Sequence, residues 1–329
     1  MFAKIFAAKS KYIGIGLILI QIVACSSLAF LMPDIPIEEL KNDPVIAAAG
    51  DIACDPNGPT FKGGLGNESS CHQKYTSDLM VNMNLSAVLP LGDTQYYCGS
   101  YSAHMLSYDL SWGRLKTISH PTVGNHEYLT EGGTGCTPEN AGASGYFKYF
   151  GEAAGKPGEG YYSFDIGTWH LISLNSNCGV AGGCSVASPQ GQWLQADLAA
   201  HKNRCTLAFW HIPLFSSGGR ANSNSKLLWE QLYDNDADLI LEAHDHIYER
   251  FAPMTPDGLF DPERGIRSFV VGTGGDDHTT IVHVAANSEI RNENTFGVLM
   301  LTLRSNSYDW RFVPEVGQSF TDSGTGLCH

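Results

Sequence analysis

The chain has 329 residues, 43% of them hydrophobic, enough apolar material for one large or two modest domains, and this excludes general disorder. Its 34 acidic residues outnumber 20 basic ones, giving a net charge of −14 and a pI near 5.2. Lys and Arg are scattered singly beyond the N-terminus, so non-specific nucleic-acid binding is not expected, and any affinity for anions must be local, from metals, histidines or backbone N–H groups.

The chain opens with Lys4, Lys9 and Lys11 before the apolar run Tyr12 to Ala24, which is too short to span a bilayer comfortably. Residues 1–24 therefore read as an export signal. Ile22-Val23-Ala24-Cys25 resembles the bacterial lipobox, in which the cysteine (Cys25) becomes the lipidated first residue of a membrane-anchored protein in the periplasm or cell envelope. The alternative is an ordinary signal cut after a small residue such as Ala29, which leaves a soluble periplasmic or secreted protein. On the first reading the N-terminal lipid is the sole membrane contact, residues 25–43 form a tether, and residues 44–329 form one catalytic domain.

Beyond the tether, short apolar runs alternate with polar or Gly-rich loops. Pro44 to Ala49, Ala87 to Leu91, His170 to Leu174, Thr206 to Trp210, Asp238 to Glu242, Ser268 to Val271, Phe296 to Leu303 and Tyr308 to Val313 read as buried strands. Helical spacing of apolar residues falls between them, at His72 to Met83, Ser102 to Lys116, Pro189 to His201 and Ser223 to Asn235. There are nine cysteines; setting Cys25 aside leaves eight, an even number without a C-x-x-C pair, as expected of disulfides in an oxidising compartment. Cys178 with Cys184 closes a short Gly-rich loop and Cys205 with Cys328 pins the C-terminus, among many pairings that remain open.

Chemistry-capable residues follow the strands. Asp51, Asp93, His211 and His244 each come just after an apolar run, and in α/β folds the carboxyl ends of strands form the ligand-binding rim. Taken singly, Gly92-Asp93 is an ordinary turn and Gly124-Asn125-His126-Glu127 an ordinary loop. His244-Asp245-His246 is more specific, because two histidines two residues apart beyond a strand can share an ion.

Occurring together and in this order, Asp51, Asp93 with Tyr96, Asn125-His126, His211 and His244/His246 resemble the ligand pattern of the calcineurin-like metallophosphoesterases. Tyr96 points to their purple acid phosphatase branch, here in a bacterial form with a single catalytic domain. The likeness runs from about Val45 to Gly275. It implies an α/β fold, a four-layer α-β-β-α sandwich of two mixed sheets flanked by helices, with the metal site at strand C-terminal ends. It also implies hydrolysis of phosphate monoesters by in-line attack of a metal-bound hydroxide, releasing inorganic phosphate outside the cytoplasm.

In the resemblance Asp93 bridges two ions about 4 Å apart. Asp51, Tyr96 and His246 complete one site, where an ionised phenol calls for a strongly Lewis-acidic ion, Fe(III). Asn125, His211 and His244 complete the other with neutral ligands suited to divalent Zn, Fe or Mn. Asn125 and His126 contact the substrate, and His126 helps to protonate the leaving oxygen. Glu127 and Asp245 are candidates to orient neighbouring histidines, or else solvated loop carboxylates. Ala53, Ala208 and Ala243 depart from the family pattern in small or apolar ways. The segment Ile212 to Arg220 lacks the extra pocket histidines of plant members, and Arg220 is either a phosphate contact or a surface residue. A phosphodiesterase or nucleotide hydrolase with the same ions is the alternative activity, and a catalytically silent binding protein the alternative from another class.

Overall fold

The structure, a computed structural model, describes residues 43–202 and 205–329. The expected export signal, Cys25 and the expected tether up to residue 42 lie outside the described residues. Strand β1 (Val45–Ala49) starts the chain's first sheet, pairing in parallel with β2 (Ala87–Pro90) and antiparallel with β10 (Gly297–Leu303). Strands β11 (Ser307–Pro314) and β12 (Ser323–Leu327) extend it, in the order β12-β11-β10-β1-β2. The second sheet is built from β3 (Tyr162–Ile166), β4 (Trp169–Ser173), β5 (Cys205–Phe209), β6 (Leu239–Glu242), β7 (Tyr248–Phe251), β8 (Arg267–Val271) and β9 (Ser288–Asn292). Its order is β3-β4-β5-β6-β8-β7-β9, with β4, β5, β6 and β8 parallel and the outer pairs antiparallel. Both sheets are mixed.

Alternation along the central strands explains the layering. Leu171, Leu207, Phe209, Leu239, Leu241, Phe269 and Val271 face inward and share one core with Ile46, Val88, Leu89, Leu299 and Leu301 of the first sheet. The residues between them, Ile172, Ala208, Ile240 and Val270, face the other way. There they pack under α4 (Pro189–Ala200) and α5 (Lys226–Tyr233) through Leu194, Leu198, Leu228, Trp229 and Leu232. Strands buried on both faces read as continuous apolar runs, which is why the sequence displays them plainly. Helices α1 (Gln73–Asp78), α2 (Tyr101–Leu106) and α3 (Ser144–Phe150) lie on the chain between β1 and β3. Among the described residues no helix is long and apolar enough to cross a membrane.

All eight expected strands form, each within one residue of its expected ends. Four others went unread: β3, β7, β9 and β12 are half-polar or Gly-rich, and neighbouring strands supply their pairing. The expected helix over Ser102 to Lys116 is divided into α2 and two 3-10 turns, Tyr108–Leu110 and Trp112–Ile118. The break falls at Ser107, whose backbone leaves the helical region and whose hydroxyl donates to the Cys54 carbonyl (2.7 Å). Among the described residues four disulfides form, Cys54–Cys71, Cys98–Cys136, Cys178–Cys184 and Cys205–Cys328, so both pairings read from the sequence hold.

Candidate metal centre

The rim is made where β1, β2, β5 and β6 end. Asp51, Asp93 and His244 leave their strands with φ of 58°, 44° and 70°, left-handed values that non-glycine residues adopt rarely and at a cost of about 1–3 kcal/mol each. Glycines make room. Gly92 has φ 82° and a Cβ there would stand 2.7 Å from the His211 ring; a Cβ on Gly124 would come 2.1 Å from Asp93 Oδ1. The Gly-Asp and Gly-Asn pairs thus exist because two ligand-bearing loops touch backbone to side chain.

All seven expected side chains converge. The Tyr96 hydroxyl lies 2.8 Å from Asp51 Oδ1, 3.3 Å from Asp93 Oδ2 and 3.1 Å from His246 Nε2. His211 Nε2 lies 3.1 Å from Asp93 Oδ2, 3.1 Å from Asn125 Oδ1 and 3.2 Å from His244 Nδ1. Asp93 Oδ2 therefore stands between a Tyr96 cluster and a His211 cluster. Asp51, Asp93 and His211 are fully or almost fully buried.

Without a cation, protons bridge this crowd, the Tyr96 hydroxyl donating to Asp51 Oδ1. His211 Nδ1–H donates to the Leu91 carbonyl (2.8 Å), and a carbonyl only accepts, so Nε2 is the atom turned toward carboxylate, amide oxygen and a second imidazole nitrogen, a donor while the ring is charged and a lone pair once that proton leaves. His246 is fixed in the same way, with Nδ1 2.5 Å from Asp277 Oδ1 and Nε2 facing Tyr96 and Asp51. Ligand-type N and O atoms meeting at 3.1–3.3 Å in a buried place fit the edges of a cation's ligand shell, in which an ion would replace the shared protons with N and O about 2.0–2.2 Å away. The donor set suits metal ions. Asp93, His211 and His244 form one group able to hold an ion, and His246, Asp276 and Asp277 another.

A calcineurin-like phosphoesterase family profile matches residues 29–248, more than half of the chain. The protein belongs to that family. It is 32% identical to Purple acid phosphatase 22 of Arabidopsis thaliana over 98 residues, 28% of this chain and 22% of that one. It is 26% identical to Acid phosphatase type 7 of Homo sapiens over 202 residues, 54% of this chain and 43% of that one. The chain thus spans less than half the length of either relative. Among solved structures the fold resembles the purple acid phosphatase PPD1 of yellow lupin, Lupinus luteus (TM-score 0.64, 18% identity, 86% of this chain and 53% of that one). It also resembles PhoD (TM-score 0.56, 13% identity, 86% and 68%). These likenesses establish the α/β fold of two mixed sheets.

For a calcineurin-like rim the electrostatics are mutually dependent. Burial works against ionisation of Asp93, yet the charges of His211 and His126 hold its carboxyl far below the usual range. Burial likewise opposes the charge on His211, and Asp93 and Asp51 raise it to about 9. Burial, followed by the His211 charge, lowers His244 to about 4. Burial and the charges of Asp51 and Asp93 push the Tyr96 phenol well above its ordinary value. The polypeptide alone therefore keeps Tyr96 protonated, and a phenolate there requires a strong Lewis acid.

His126 sits beside the rim, its backbone N–H donating to Asp93 Oδ1 (2.9 Å), its Nδ1 2.8 Å from the Tyr97 carbonyl and its Nε2 4.0 Å from Asp93 Oδ2. Arg220 reaches the His244 carbonyl at 3.4 Å and lines the mouth. Two expectations are corrected. Glu127 orients backbone rather than a histidine: fully buried, it accepts from the N–H groups of Asp93 (3.1 Å), Thr94 (2.6 Å) and Gly124 (2.8 Å) and from the Thr94 hydroxyl (2.8 Å). Asp245 accepts from the Arg220 N–H (3.2 Å), and the carboxylate on His246 is Asp277 instead.

Sequence reasoning missed Asp276 and Asp277, which follow β8 on Gly274-Gly275. The strand-exit rule that singled out Asp51 and Asp93 applies to them equally. With Asp55, Tyr97, His126 and Arg220 they line a cleft of about 330 Å³ over the centre. Two disulfides flank it. Cys54 stands three residues beyond Asp51, and Cys98 two beyond Tyr96.

Proposed function

We propose that this chain is an exported phosphatase that hydrolyses phosphate monoesters at a binuclear metal centre and releases inorganic phosphate. The observation that carries the reading is the convergence of ligand-type atoms from Asp93, Asn125, His211 and His244 on one side and Asp51, Tyr96 and His246 on the other. Asp51, Tyr96 and His246 would hold one ion, Asn125, His211 and His244 the second, with Asp93 shared. The phenol suits Fe(III), and the neutral ligands suit Zn, Fe or Mn in the divalent state. Bound there, such ions supply Lewis acidity toward a phosphoryl oxygen and make water more acidic.

The polypeptide supplies the rest. The His126 ring is anchored through Nδ1 at the Tyr97 carbonyl, which leaves Nε2 facing the cleft to hold a proton for the leaving oxygen. The Arg220 guanidinium offers a phosphate contact at the mouth. The Asp55 carboxylate accepts from the Thr134 N–H (2.5 Å) and hydroxyl (2.6 Å), joining the 54–60 and 132–134 loops into a wall. A walled cleft of about 330 Å³ suits a small monoester. Four disulfides support export, since such bonds persist in oxidising compartments. Lipid attachment at Cys25 is the matching anchor, and Cys25→Ser would release the protein from membranes.

The test pairs metal analysis with turnover of aryl phosphate monoesters and diesters by the metal-loaded protein. Monoester turnover lost in Asp93→Ala and His211→Ala is the expected result. A visible Fe(III)-phenolate colour should vanish in Tyr96→Phe. Diester preference, or activity surviving Asp93→Ala, overturns the reading.

A further inference from the structure

We propose that Asp277 is a positioning residue that makes the Tyr96 side of the centre selective for a trivalent ion, acting through the ring of His246. The inference rests on the binuclear reading above and adds a determinant of which ion sits where. Three histidines serve the centre, and their second contacts differ. His211 leans on an uncharged group, the Leu91 carbonyl, and His244 uses Nδ1 itself toward the His211 side. His246 alone of the three is backed by a carboxylate, with Nδ1 2.5 Å from Asp277 Oδ1.

That contact does two things. It orients the ring, so that Nε2 points at Tyr96 (3.1 Å) and Asp51 (3.2 Å), where it would ligate an ion. It also places a full negative charge one ring away from a cluster that already holds Asp51, the shared Asp93 and an ionisable phenol. The His211 side, apart from the shared Asp93, offers an amide and two imidazoles. Coulomb attraction scales with the charge of the ion, so one added carboxylate favours a trivalent over a divalent occupant on the Tyr96 side alone.

Asp277 is held in place by more than its own contact. Its loop donates from Gly274 N–H to the Gly50 carbonyl (2.9 Å) and from Asp276 N–H to the Asp51 carbonyl (3.0 Å). Thr279 N–H donates to the His246 carbonyl (3.2 Å), while the His246 N–H donates to the Thr279 hydroxyl (3.1 Å). The loop is thus tied to both strand exits whose side chains meet at Tyr96. The Asp277 side chain remains 58% exposed, so as a plain surface ion pair it would contribute little to stability. Metal selection and fold stability therefore separate.

The experiment compares wild type with Asp277→Asn and Asp277→Ala, each loaded with iron and zinc under the same conditions. Asn keeps an oxygen to accept from Nδ1–H and removes the charge; Ala removes both. The readouts are iron and zinc per chain, the visible phenolate band, the reductant concentration that bleaches it, and thermal unfolding after chelation. We expect ferric affinity to fall on the order of 10–100-fold in Asn and further in Ala. The band should bleach at lower reductant, with zinc content and the unfolding temperature of the chelated protein unchanged. Iron, colour and bleaching equal to wild type in both variants overturn the proposal. A wild type that binds no second ion or shows no phenolate band refutes the binuclear iron reading itself, and this inference with it.

Discussion

Glu127 makes the sharpest quantitative test of how the centre is held. The perturbation is Glu127→Gln, which keeps the size and one acceptor oxygen. In the native protein Oε1 accepts from the Thr94 N–H and hydroxyl, and Oε2 from the N–H groups of Asp93 and Gly124. A glutamine can satisfy one pair. Its NH2 then meets the other pair donor to donor, in a place with no solvent access. Two hydrogen bonds to a charged acceptor are lost, at about 1.5–3 kcal/mol each, and two buried donors are left facing an NH2 group. Against this, the variant no longer buries an anion beside Asp93. Burial, and then the Asp93 charge, push the Glu127 carboxyl above its usual range, so that relief is real. The balance is a net loss of about 2–4 kcal/mol, overlapping the about 3–5 kcal/mol for breaking one side of a buried charged pair. Denaturant unfolding of the metal-free protein measures it, with metal affinity as the second readout, because the loops displaced carry Asp93 and Asn125. A loss under about 1 kcal/mol with normal metal affinity would refute the clamp.

Three further outcomes follow from the same structure. Chelation should lower the unfolding temperature of the wild type and leave that of Asp93→Ala almost unmoved, since stabilisation by an ion requires its ligands; calorimetry with and without chelator decides this. Removing Cys98–Cys136 as a double serine variant should cost about 3–4 kcal/mol for the 38-residue separation it closes and weaken metal binding through Tyr96, read by unfolding and metal content. His170 gives the pH signature. Burial opposes its charge, but Asp197 at 2.8 Å and Asp165 at 2.7 Å raise it above the ordinary 6.5. A raised histidine stabilises fully below its unfolded value and loses that contribution as pH climbs through the folded one. Burial likewise opposes, and His170 then favours, the charge on Asp197, whose lowered value sets the acid limit: its share appears above about pH 3.8 and fades as pH falls through the folded value. Wild type should therefore exceed His170→Gln in unfolding temperature most at about pH 5–6 and converge with it at alkaline pH. A difference that grows toward alkaline pH contradicts the assignment.

The sequence by itself determined the buried strands and the residues at their ends. A strand sealed on both faces must be apolar throughout, and a backbone that touches a ligand side chain has no room for a Cβ, so Gly92 against His211 and Gly124 against Asp93 are written in the chain. The tertiary structure alone decided what depends on distance between remote segments. Whether Glu127 faces a histidine or backbone N–H groups, and whether Asp245 or Asp277 supports His246, turns on how the loops after β2 and β8 pack, and residues adjacent in sequence carry no record of that. Strands β3, β7, β9 and β12 escaped for the same reason, because their polar or glycine-rich sequences acquire strand geometry from partners far along the chain. The seven side chains were legible as an ordered set and not one by one; that they meet in one buried place is a property of the fold.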